Sequence, residues 1–194
     1  MNSFSLDDGK KLIKLAREAI FGNPEKIKKE KKFMEKCGVF VTLYSYPDHQ
    51  LRGCIGFPYP IKELYYAVIE SAKAAAFSDT RFMPVTSNEE EKIIIEVSIL
   101  TVPELIKVKS PKDYLKKINI GKDGLIIRSG YFSGLLLPIV FIEYNATPEK
   151  ALEMTCEKAG LPKDAWKDPN CEVYKFQTQV FAELEPNGKI IKKM

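Results

Sequence analysis

A chain of 194 residues that is 45% hydrophobic and 11% aromatic has enough apolar material to offset the entropy of ordering a core, which excludes wholesale disorder and suits one globular domain over 1–194. The 30 basic and 26 acidic side chains leave a net charge of +4 and interleave along the sequence, which speaks against a dedicated nucleic-acid surface, where one sign gathers into a stripe. The longest apolar run, 135–142, contains Pro138 and falls far short of the roughly 20 residues that span a bilayer, and Asp7, Asp8, Lys10 and Lys11 interrupt any signal-peptide core. The expectation is a soluble, cytoplasmic protein with no membrane contact.

In chain order, residues 5–21 read as a helix: Ser5 with Asp8 makes a capping box, Leu12, Ile13, Ala16, Ala19 and Ile20 share one face, and Gly22 ends it. The charged segment 26–36 has the pairing of a solvated lysine-rich helix. Residues 38–57 then switch to a hairpin around the turn Tyr46-Pro47-Asp48-His49-Gln50. Ile61 to Ala76 returns to helical spacing, with Leu64, Tyr65, Val68, Ala72, Ala75 and Ala76 on one side, and a loop through Asp79 and Arg81 leads to a strand at 93–100 that Pro103 closes. Ser110-Pro111 opens a short helix. A second hairpin is expected from 124–128 and 135–143 across the loop 129–134, with Pro138 marking an edge or bulge. Thr147-Pro148 starts a helix that Gly160 ends, and the alternation from Tyr174 to Leu184 predicts one last half-buried strand. Hairpin-paired strands with interspersed helices give an α+β fold, an antiparallel or mixed sheet with flanking helices, and the segment 103–111 is the expected hinge if the domain has two lobes.

The four cysteines, Cys37, Cys54, Cys156 and Cys171, form no C-x-x-C pair, and the single histidine is His49. That spacing offers no clustered zinc set, and no metal or other cofactor is expected. The cysteines are expected to be reduced, with a Cys156–Cys171 disulfide as the alternative in a hyperthermophile, a source to which the lysine, glutamate and isoleucine content points. Trp166, Tyr131 and Phe132 read as caps on the core. The arginines are only Arg17, Arg52, Arg81 and Arg128, so each is a candidate for a fixed contact with carboxylate or phosphate.

The segment Leu51-Arg52-Gly53-Cys54-Ile55-Gly56 stands apart. Strand alternation puts Leu51, Ile55 and Phe57 on a core face and Arg52 with Cys54 on the other, roughly 7 Å apart between Cα atoms. A guanidinium there would favour thiolate and make Cys54 reactive. Gly53 and Gly56 let a ligand or another backbone approach closely. The same pattern equally suits a buried structural cysteine beside packing glycines. His49 in the preceding turn is a poor base for Cys54, and no nucleophile-elbow motif is present. Asp79, Arg81, Glu96 and Ser98 complete the candidate set. Glu96 lies among apolar strand neighbours and needs a partner, for which Arg52 or Arg81 is suited.

LRGCIG at 51–56 resembles the signature of the AMMECR domain family. The resemblance extends through AAAFSDTRF at 74–82, EVSIL at 96–100, GLII at 124–127, GLLLP at 134–138, CEKAGLP at 156–162 and VFAE at 180–183, nearly the whole chain. Ile139 departs from it, standing where the pattern has glutamine, so any ligand contact by that amide is lost here. The resemblance implies an α+β fold of two unequal lobes with a cleft between them and the signature near that cleft. It also implies Memo-like and radical-SAM pathway partners, and it supplies no reaction.

Three functions follow as expectations. The first is an enzyme or enzyme component acting on a small molecule or peptide, with Cys54 as nucleophile, Arg52 or Arg81 holding an anionic group, and Asp79 or Glu96 orienting an arginine or moving a proton; Gly53, Ile55, Gly56 and Ser98 would line the site. The second is a non-catalytic adaptor that binds a peptide or partner subunit. The third, RNA binding through the lysine-rich segment 26–36, is disfavoured by the charge pattern.

Overall fold

The computed structural model describes residues 3–193. The chain divides into two compact units, one running up to Val102 and resuming at Gln179, the other Pro103–Thr178. It is an α+β fold with two separate sheets.

The first unit opens with α1 (Leu6–Phe21), capped by the expected Ser5/Asp8 box and ended at Gly22. The hairpin follows as β1 (Gly38–Ser45) and β2 (Leu51–Phe57), then α2 (Leu64–Phe77) and β3 (Ile93–Leu100). With β8 (Thr178–Glu183) and β9 (Ile190–Lys192) these strands form a sheet in the order β2-β1-β3-β8-β9. Val39, Val41 and Leu43 of β1 and Ile93, Ile95, Val97 and Ile99 of β3 share a core with the apolar stripes of α1 and α2. Both helices therefore cover one face of the sheet, and the alternate residues of each strand point to the other.

The second unit holds β4 (Glu104–Leu105), β5 (Gly124–Ser129), β6 (Phe132–Leu136) and β7 (Glu172–Phe176) in the antiparallel order β4-β7-β5-β6. It also holds the helices α3 (Tyr114–Lys117), α4 (Pro138–Glu143) and α5 (Pro148–Lys158). Its core gathers Leu125, Ile127, Phe141, Leu152, Cys156 and Val173. All four cysteines are free thiols, so the Cys156–Cys171 disulfide is not formed.

Several expected elements change. Segment 26–36 is not an α-helix: it carries two short 3-10 turns, Pro24–Lys26 and Lys31–Met34. Its charges bind other elements instead of each other, Glu30 pairing with Lys11 and Lys32 with Asp8 of α1. Helix α2 starts at Leu64 rather than Ile61, because the residues before it run extended against 35–37, with Leu64 N–H bonding Glu35 O and Cys37 N–H bonding Lys62 O. The predicted strand 135–143 ends at Leu136, and Pro138 takes the first position of α4, where its fixed φ and missing N–H suit a helix start. Tyr174–Leu184 is two strands in two sheets, β7 and β8, divided at Gln177. Trp166 is buried as expected, whereas Tyr131 and Phe132 are exposed at the tip of the β5–β6 hairpin rather than capping the core.

Candidate functional site

Strand β1 places Thr42 directly opposite Cys54 of β2 on one side and opposite Glu96 of β3 on the other. Three polar side chains thus form a row across neighbouring strands on the face that the helices do not cover. Ser98 follows Glu96 on that face, paired with Phe40; it is 1% exposed and its hydroxyl has no hydrogen-bond partner among the described residues.

The edge of β2 carries the second half of the site. Cys54 N–H donates to Asp79 Oδ2 at 2.9 Å, and Arg81 Nη2 donates to Cys54 O at 3.4 Å. The Asp79–Arg81 pair therefore offers the edge strand one acceptor and one donor, as a neighbouring strand would. Asp79 also accepts from Arg81 Nε at 2.9 Å through Oδ1 and from Nη2 at 2.6 Å through Oδ2. The Asp79 side chain is 4% exposed and that of Arg81 49%. A buried carboxylate thus fixes a guanidinium whose other side meets solvent, and Arg81 Nη1 makes no hydrogen bond among the described residues.

Arg81 holds the Asp79 carboxyl well below the usual carboxylate range. Cys54 shifts the other way from the sequence-based expectation. Burial pushes its thiol up, and the Thr42 hydroxyl, which donates to Sγ at 3.3 Å, and the Arg81 charge only partly offset this; Glu96 and Asp79 add to the rise. At rest Cys54 is a thiol.

Arg52 is not brought to the sulfur. Gly53 pairs with Leu43 and Leu51 with Tyr44, so Arg52 is the extra residue of a β-bulge, and Leu51 turns away from the core and is exposed. The Arg52 guanidinium bonds Glu89, Nε to Oε1 at 2.9 Å, and leaves a buried Nη1 without a partner among the described residues. Glu96 pairs with neither arginine, its partner being Lys193 at 2.8 Å. A Cβ on Gly53 would lie 2.2 Å from Ala75 O, and one on Gly56 2.1 Å from Val39 O, so backbone, rather than a ligand, occupies the space that each glycine leaves. Ile55 packs against the helix-covered core. His49 sits at the exposed hairpin tip with φ 52°.

Thr42 and Lys193 belong to the site, and the sequence does not single out either. Thr42 is hidden because threonine is an ordinary strand former; its phase opposite the apolar Val41 and Leu43 was the available signal. Lys193 carried no local signal. Among the described residues, no group of three or more His, Cys, Asp or Glu side chains is placed to hold a metal ion, and no helix is long and apolar enough to cross a membrane.

The family model of AMMECR1 matches residues 13–181. The chain belongs to the AMMECR1 family. It is 54% identical over 161 residues to protein MJ0810 of Methanocaldococcus jannaschii, covering 83% of this chain and 80% of the relative. It is 49% identical to protein MK0488 of Methanopyrus kandleri, covering 96% of this chain and 93% of that one. The crystal structure of PH0010 from Pyrococcus horikoshii superposes with a TM-score of 0.87 at 45% identity, covering 95% of this chain and 96% of the other. The AMMECR1 match spans both the Cys54 strand and the Asp79–Arg81 loop.

Proposed function

We propose that this AMMECR1-family chain is an enzyme or enzyme component acting on a small molecule or peptide that carries an anionic group. Arg81 holds that group and Cys54 supplies the attacking sulfur. The observation that carries this reading is the shared carboxylate of Asp79, which fixes the half-exposed Arg81 and the Cys54 backbone with one group. A guanidinium held in this way is preorganised, so less entropy is lost when it engages a carboxylate or phosphate. The nucleophilic form of Cys54 is the thiolate, reached when the proton leaves to solvent, and because burial raises the thiol that form becomes abundant only above the ordinary thiol range. Arg52, engaged with Glu89, acts at most through its buried Nη1, and Glu96 and Ser98 line the polar row. Memo-like and radical-SAM partners belong to this reading by family analogy alone.

Labelling of Cys54 by iodoacetamide in the presence of small solutes tests it. Succinate and phenyl phosphate should protect Cys54 by about threefold or more relative to succinamide and phenol, a difference of order RT. Arg81→Gln should abolish the difference. Equal protection by charged and neutral solutes would favour the adaptor reading, in which no anion is held beside the thiol.

A further inference from the structure

A concave region lies in the first unit, between α1 and the β8–β9 hairpin, with a cavity volume of about 700 Å³. Its apolar surface comes from Leu6, Ile13 and Ile190, and Leu6 is exposed at 41%. Lys10, Lys14 and Lys189 also line it, all three exposed. Leu6, Lys10, Ile13, Lys14 and Arg17 recur at helical spacing, so the groove follows one stripe of α1. None of the three lysine ammonium groups makes a hydrogen bond or ion pair among the described residues. The lining carboxylate is already engaged: Glu183 accepts from Arg17 Nε at 3.0 Å, Arg17 Nη2 at 2.6 Å and Ile95 N–H at 2.8 Å. That pair is buried and neutral as a unit, so the groove presents three lysine ammonium groups around an apolar floor, with the carboxylates of Glu91 and Glu185 confined to its Asn187–Gly188 edge.

We infer that this groove binds a small anionic amphiphile, an aliphatic body ending in a phosphate monoester. The volume lies in the range of small-molecule sites, roughly 300–1,000 Å³. Ten residues line it, whereas a stable protein partner engages about 20–30 residues a side. Lys10 and Lys14 stand about 6 Å apart along the helix axis, a spacing that lets two ammonium groups converge on one dianion while their stems lie along the apolar floor. Lys189 meets the head from the hairpin side. The site is independent of the Cys54 reading and shares no residue with it.

The test is calorimetric titration of decyl phosphate, below its micelle concentration, into the full chain. One saturable site is expected, with inorganic phosphate and decanol each weaker by about tenfold or more, since each keeps half of the complementarity. The double variant Lys10→Gln with Lys14→Gln should weaken decyl phosphate by about tenfold and leave the unfolding midpoint unchanged, both side chains being exposed. Leu6→Ser should weaken decyl phosphate several-fold and leave phosphate binding as it was. Added sodium chloride should weaken the wild type. Sedimentation with phosphatidylcholine vesicles containing phosphatidic acid separates the sources: titration without co-sedimentation marks a free amphiphile, and both together mark a membrane lipid of the same chemistry. Undiminished binding in the double lysine variant would overturn the inference. So would co-sedimentation without titration, or hexaglutamate binding as tightly as decyl phosphate, since charge alone would then suffice.

Discussion

Asp79 and Cys54 are joined through the backbone rather than through the sulfur: the Asp79 carboxylate accepts the Cys54 N–H at 2.9 Å while it holds Arg81. The residue that orients the arginine also finishes the edge of the strand that carries the thiol. A change in that carboxylate therefore reaches stability and site geometry together.

Asp79→Ala should destabilise the fold by about 1–3 kcal/mol, the cost of leaving a part-buried N–H unsatisfied, and Asp79→Asn by less. Because Arg81 is half exposed, the ion pair itself is screened and contributes little of this. Urea unfolding at pH 7 measures it. The pH dependence has a fixed sign. The folded Asp79 carboxyl titrates below its unfolded value of about 3.9. Its contribution is present above that value and is lost as pH falls towards the folded one, so Asp79→Asn should flatten the acid limb of the stability curve.

Cys54 alkylation should be slower at pH 7 than that of an unfolded thiol, and its midpoint should lie above the ordinary value of about 8.5. Thr42→Val removes the hydroxyl that donates to Sγ and should raise the midpoint further, as should Arg81→Gln. Mass spectrometry of iodoacetamide-treated folded protein across pH 6–10 reads all three.

Gly53→Ala should destabilise the protein by about 1–3 kcal/mol or more, because the added carbon would meet the Ala75 carbonyl of α2 and the helix must shift. Gly53→Val should be worse. Thermal unfolding checks both, and neither variant serves as a probe of ligand binding.

Glu183→Gln should cost about 3–5 kcal/mol, since it leaves the buried Arg17 guanidinium without a countercharge. The loss should appear in denaturant midpoints without any change in the folded-state labelling of Cys54, which belongs to another part of the sheet.

Much of the first unit was legible. The Ser5/Asp8 box, the hairpin 38–57 and the strand 93–100 each have local chemistry that agrees with their tertiary role. Residues 135–143 read as one strand because an apolar run has no period, and only its neighbours decide whether Pro138 breaks a strand or begins a helix. The alternation 174–184 hid a crossing between sheets, since each half keeps period two. At the site, Cys54, Asp79 and Arg81 were visible as residues, but their arrangement was not. The bulge at Arg52 sends its guanidinium to Glu89, and no local pattern announces a one-residue register shift. The sign of the Cys54 shift depends on burial, which a count of nearby charges does not supply.

On the proposed reading, Arg81 presents a fixed positive group to whatever reaches Cys54. Parallel alkylation with iodoacetate, an anion, and iodoacetamide, its neutral counterpart, tests it most directly, with Cys37 of the same molecule as internal reference. The ratio of iodoacetate to iodoacetamide rates at Cys54 should exceed that at Cys37 by about tenfold, roughly 1.4 kcal/mol of differential attraction, and should fall to the Cys37 value in Arg81→Gln. Equal ratios at the two cysteines in the wild type would contradict the account.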